Sequence, residues 1–216
     1  MMKRALLIAT AALAATPALA HHPLGGMPME TFAHGVLSGV GHPLLGFDHL
    51  FFVLAVGVAA LFTGRALTAP LAFIAAMLVG VFLVVGGIQL PMVEPVIALS
   101  LLVLGGLVAR GKALTAPIAM AIFAALGVFH GWAFGGSLAG QEGGASAAVL
   151  VGYLLGLAAI QYAIAVGFGL VVAKVWNAKT ADAISARLSG AVVAGVGAFL
   201  VLEVAEGTAF AALGLG

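Results

Sequence analysis

Hydrophobic positions in this 216-residue chain come in long unbroken runs and do not alternate with polar ones. Runs of that kind read as apolar helices, whereas strict alternation would read as strands. Segments of spanning length fall at about 45–63, 69–89, 94–109, 114–135, 146–174 and 188–207, and a helix needs about 20 residues to cross the hydrocarbon core. The third, at 16 residues, is short and must borrow from its flanks. Ahead of them, Lys3 and Arg4 precede an apolar stretch from Ala5 to Ala15, and Ala18-Leu19-Ala20 has the small-x-small form of a cleavage site. This is the layout of a secretory signal peptide over 1–20. A short outer segment, 21–44, and a six-helix transmembrane domain, 45–210, complete the expected organisation.

The polar breaks set the orientation. Arg65, then Arg110 and Lys112, then Lys174, Lys179 and Arg187 fall in alternate breaks. The opposite breaks hold Gln89 and Glu94, and Gln141 and Glu142. The excess of Lys and Arg in cytoplasmic loops then places the basic breaks inside. Both mature termini lie outside, in the periplasm, as the signal peptide also requires. The predicted fold is an all-α membrane protein with six transmembrane helices.

One internal echo stands out. Gly64-Arg65-Ala66-Leu67-Thr68-Ala69-Pro70 returns as Gly111-Lys112-Ala113-Leu114-Thr115-Ala116-Pro117, 47 residues later. It reads as a shared helix-start device: a basic residue at the cytoplasmic face, Thr as N-cap and Pro in the first turn. A repeat of helix pairs is the alternative. Glycines at 80, 86, 87, 105, 106, 152, 156, 190, 195 and 197 suit close helix approach in lipid.

Composition narrows the function. Charged residues make up 7% of the chain and hydrophobic ones 64%, against about 25% charged in soluble domains, so a soluble enzyme and a disordered chain are both excluded. Eight Lys+Arg against seven Asp+Glu leave no basic footprint for nucleic acid. With no cysteine there is no disulfide framework, thiolate metal site or thiol catalysis.

An ionisable group at the centre of a membrane helix costs about 2.5–3.5 kcal/mol on insertion scales, so those near the spans point to function. On this topology all six histidines, His21, His22, His34, His42, His49 and His130, fall on the outer side or in the outer half, as do Asp48, Glu94, Glu142, Glu203 and Glu206. The densest group is Gly41-His42-Pro43-Leu44-Leu45-Gly46-Phe47-Asp48-His49. Pro43 permits a helix start just after His42; a helix including both His42 and His49 would put them on one face. Asp48 either joins them as a ligand or orients an imidazole. Imidazole and carboxylate without thiolate suit a divalent ion such as Ni(II), Co(II) or Zn(II). The metal-site candidates are His42, Asp48, His49, Glu94 and His130, with His21, His22, His34, Glu142 and Glu203 weaker. Glu142 and Glu206 equally suit the headgroup level, His34 a solvated helical pair with Glu30, and Gln161 a hydrogen bond between helices.

Gly41-His42-Pro43-x-x-Gly46-x-Asp48-His49 resembles the opening motif of the hydrogenase/urease accessory nickel permease family (HupE/UreJ). Val93-Glu94-Pro95 with Ala98-Leu99-Ser100, and Phe129-His130-Gly131, resemble that family in the same order, so the likeness covers essentially the whole mature chain. The resemblance implies a multi-pass protein of the bacterial inner (cytoplasmic) membrane, with nickel, or sometimes cobalt, carried across it for metalloenzyme maturation and a link to hydrogenase or urease maturation proteins. Trp132 and Phe134 stand where relatives often have further histidines, and Gln161 where they often have one in the fifth helix. The second motif is therefore thinned. The chain reads as a non-enzymatic secondary permease with no permanent cofactor; no G-x-x-x-x-G-K-[ST] loop is present. Two other readings are an intramembrane zinc-dependent hydrolase, built on three histidines and an Asp, and haem ligation by His49 and His130.

Overall fold

The computed structural model describes residues 28–140 and 144–214, whose regular elements are all helices, with no strand among them. The expected signal peptide, His21, His22, Gln141 and Glu142 lie outside the described residues. Seven helices follow in order: α1 Phe32–Leu45, α2 Phe47–Leu61, α3 Pro70–Val85, α4 Val93–Ala109, α5 Ala116–Ala139, α6 Ala147–Leu170, running on into a π-helical turn Val171–Val175, and α7 Ile184–Ala212. Among the described residues, three apolar helices are long enough to cross a membrane: α5, α6 with its π turn, and α7. The bent pair α1–α2 makes a fourth candidate, while α3 and α4 are shorter apolar helices.

Helix α1 is not in the sequence reading, which left 21–44 as an outer segment. Thr31 caps it, its side chain accepting from the His34 N–H. The expected start of a helix after His42 is not what Pro43 does: Pro43 lies inside α1, and the break falls at Gly46. There the Gly46 N–H still bonds to the His42 carbonyl at 2.9 Å, while the Gly46 carbonyl opens α2 by accepting from Leu50. The two helices meet at 82° across this one residue.

Six helices form three closely packed pairs around α2. Glycine removes the Cβ that would keep two backbones apart. Gly35 and Gly39 of α1 lie against the α6 backbone at Val149 and Tyr153, and Gly152 and Gly156 lie against Phe32 and Val36 in return. Gly127, Gly131 and Gly135 of α5 receive Phe73, Met77 and Val81 of α3. Gly105 of α4 abuts Gly190 and Ala194 of α7. Helix α2 sits between the pairs and touches every other helix, so Phe52, Val53, Ala55, Val56, Val58 and Ala60 are all buried, while Phe47 is exposed and Leu50, Phe51, Leu54 and Leu61 are half-buried. Its Gly57 meets α6 at Ala165.

The repeated heptapeptides lead into α3 and α5, which pack on each other in parallel. Both copies open on a left-handed glycine, Gly64 at φ 75° and Gly111 at φ 73°, a conformation that suits a residue without Cβ. Pro70 and Pro117 sit in the first turn as expected. The caps differ from expectation: Ala69 rather than Thr68 is the N-cap of α3, and Thr115, though at the N-cap of α5, makes no side-chain capping bond. The breaks after α2, α4 and α6 meet at one end, where Ala59, Phe62, Lys112 and Ala181 face a common crevice and Arg187 Nε donates to the Ala109 carbonyl at 3.1 Å.

Candidate metal centre

The bend at Gly46 builds the site. It carries His42 at the end of α1 and Asp48 and His49 in the first turn of α2 to one place, their imidazole centroids 6.0 Å apart. The two residues therefore do not share the face of one helix; a break between two helices brings them together. Asp48 Oδ2 lies 3.8 Å from His49 Nε2, and as an acidic residue at a helix N-terminus it also complements the α2 dipole.

From α5, His130 reaches His49 directly, Nδ1 to Nδ1 at 2.8 Å, with both rings buried. Its other nitrogen, Nε2, is 2.9 Å from Ser100 Oγ of α4. Phe52 stacks on His130 with centroids 4.1 Å apart, and Phe134 lies 4.1 Å from His49 and 5.1 Å from His42. Each of the three imidazoles thus has an aromatic ring packed against it. On the α1 side, His42 Nδ1 is 3.0 Å from the hydroxyl of Tyr153, a fully buried residue of α6 that donates to the Phe134 carbonyl at 2.7 Å. Ser137 Oγ lies 3.3 Å from the same hydroxyl.

Glu94 stands exposed in the first turn of α4, just after Met92, whose left-handed backbone (φ 55°) turns the chain into the helix. Its carboxylate lies within electrostatic reach of Asp48. Of the five principal candidates, four thus form a continuous chain, His42 to His49, His49 to Asp48 and to His130, and Glu94 lies within electrostatic reach of Asp48. Among the described residues no three His, Asp or Glu side chains are grouped as a ready-made ligand set.

The weaker candidates lie elsewhere. His34 belongs to the cap of α1, its Nδ1 accepting from the Glu30 backbone N–H at 3.2 Å, so it pairs with the main chain of Glu30 rather than the carboxylate. Glu203 and Glu206 are exposed on α7. Gln161 is fully buried but does not bridge helices: its Nε2 donates to Leu157 one turn back at 3.3 Å, and its Oε1 has no protein partner. Direct contact between His49 and His130 leaves no room for an iron atom between them, which removes the basis of the haem reading.

Tyr153 was missed in the sequence because a tyrosine in an apolar run reads as core or interface belt. Its signal was the same one that singled out the histidines, a polar group within a span. Ser100 was visible only as part of a motif.

The model of the family described as HupE / UreJ protein matches residues 8–200. Protein HupE of Rhizobium leguminosarum bv. viciae is 36% identical over 199 residues, covering 88% of this chain and all of that protein. No solved structure matches. A family match over most of the chain, together with a relative aligned over its full length, places this protein in the HupE/UreJ family.

Proposed function

We propose that the protein is a secondary permease that moves a divalent transition metal ion, nickel and in second place cobalt, across the inner membrane for hydrogenase or urease maturation. Nickel is cargo here, not a resident cofactor. In this reading α2 to α7 are the six crossings, with α1 on the outer side, both mature termini periplasmic, and the segment 1–20 removed. The observation that carries it is the convergence of His42, Asp48, His49, Glu94 and His130 at one end of the bundle, opposite the basic breaks. Borderline divalent ions prefer imidazole and carboxylate donors, and ionisable groups at membrane depth mark ion pathways. A broken helix at the site is a recurrent device of secondary transporters, because interrupted helices aim backbone termini at an ion. His42, Asp48 and His49 act as the first ligands met from outside, or as ligands with their orienting carboxylate, and Glu94 and His130 complete the site.

The test is nickel uptake into cells or proteoliposomes, with Co(II) and Zn(II) in parallel. Loss of an orienting partner typically costs 10–100-fold in metal affinity, so His42→Ala and His49→Ala should each lower uptake at limiting nickel by about that factor or more. Unchanged uptake in the double variant would overturn the proposal.

A further inference from the structure

A neutral imidazole has a lone pair on only one of its nitrogens, so a histidine can serve a metal from Nε2 only if its proton sits on Nδ1. Two buried hydroxyls decide this question here. Ser100 Oγ donates its single proton to the Ile97 carbonyl at 2.7 Å, so toward His130 Nε2, 2.9 Å away, it accepts. His130 therefore carries its proton on Nε2 and presents a bare Nδ1. That nitrogen is 2.8 Å from His49 Nδ1, which must be the donor, making Nε2 the basic nitrogen of His49. It is this Nε2 that faces Asp48 at 3.8 Å, a lone pair beside a carboxylate, which is the environment a cation satisfies.

The same logic fixes His42. Tyr153 gives its proton to the Phe134 carbonyl at 2.7 Å and so accepts from His42 Nδ1 at 3.0 Å. His42 also has Nε2 as its basic nitrogen.

We propose that Ser100 and Tyr153 are positioning residues of the metal site. Ser100 acts through His130 on His49, Tyr153 acts on His42, and His130 completes the site by transmitting the orientation, not by ligating the ion. The inference rests on the proposed nickel function and assigns a task to each group around it. It also accounts for the burial of all three orienting side chains, Ser100, His130 and Tyr153, since outer partners of a metal-bound histidine work by being fixed. A serine that merely bonds back to its own helix is common; the further acceptor bond from Ser100 to His130 on another helix is what such a serine does not supply.

The experiment uses the full-length protein purified in detergent, titrated with Ni(II) alone, and compares Ser100→Ala, Ser100→Thr and Tyr153→Phe with wild type. Nitrogen-15 spectra of histidine-labelled protein without metal report the tautomers directly. Ser100→Ala and Tyr153→Phe should weaken nickel binding about 10–100-fold while the thermal transition is retained, and Ser100→Thr, which keeps the hydroxyl, should restore it. Wild-type spectra should show His42 and His49 protonated at Nδ1 and His130 at Nε2. Wild-type affinity in Ser100→Ala and Tyr153→Phe, or a Thr variant as weak as the Ala one, overturns the inference and leaves the transport reading standing. A different tautomer set in the wild type overturns it even if a variant fails to fold. A wild-type protein that neither binds nor takes up nickel overturns the transport reading, and the inference falls with it.

Discussion

At the scale of single residues, the polar groups inside this bundle divide by whether they are satisfied. His49, His130, Ser100 and Tyr153 are buried and bonded to one another or to backbone carbonyls. Gln161 is equally buried, yet its Oε1 has no protein partner. An unmet acceptor in an apolar interior costs about 1–3 kcal/mol. Gln161→Met, which keeps the length and removes the carbonyl, should therefore leave the protein as stable as wild type or raise its thermal transition in detergent. A drop in stability would show that the amide makes bonds it does not make in this structure. The histidines and carboxylates were legible in the sequence because charge is conspicuous in an apolar chain. The hydroxyls that orient them were not, because Ser and Tyr pass without notice in any membrane helix.

At the scale of helices, glycine decides where backbones touch, and neighbouring glycines give an internal comparison. A Cβ on Gly105 would collide with the backbone of Gly190 and Ala194, whereas nothing lies within 4 Å of one on Gly106. Overpacking a close contact costs about 1–3 kcal/mol or more. Gly105→Leu should accordingly lower the thermal transition measurably, and Gly106→Leu should leave it nearly unchanged. Of the elements, the six apolar segments were readable because each has a long hydrophobic run ended by Gly, Pro or a basic residue. Helix α1 was not, since its Gly, Ser and His content mimics a polar segment. Its stability comes from contact with α6, through Gly35 and Gly39, a partner more than a hundred residues away. Gly46 stood in the sequence only as a position of the motif, and its role as the break between two helices was hidden for a related reason. Its dihedrals, φ −84° and ψ 98°, are open to any residue, and its place is set by crowding, with a Cβ lying 3.0 Å from the His49 ring and 3.2 Å from Asp48.

For the whole molecule, the two ends differ in chemistry. One gathers Lys112 with Arg187 at the start of α7, the other His42, His49, His130, Asp48 and Glu94. If the basic end faces the cytoplasm, reporter fusions that are active only inside should be bright at Arg65, Arg110 and Lys179 and dark at Leu90 and Gly144. The opposite pattern would invert the bundle and put the histidine cluster inside. Mass spectrometry of the purified protein should find His21 as its first residue.

The sheathing of α2 has a consequence for biogenesis. The contact between His49 and His130 spans 81 residues and that between His42 and Tyr153 spans 111, so α1 and α2 leave the ribosome long before the helices that complete their histidine cluster. The buried side of α2 is covered only when the later helices have packed against it. During that interval His42 and His49 lack their orienting partners, and the nascent chain has no organised place for a metal ion. On the proposed function, the cluster is therefore complete for a metal ion only at a late step of synthesis, when α6 docks. An interrupted chain therefore leaves no half-built port in the membrane.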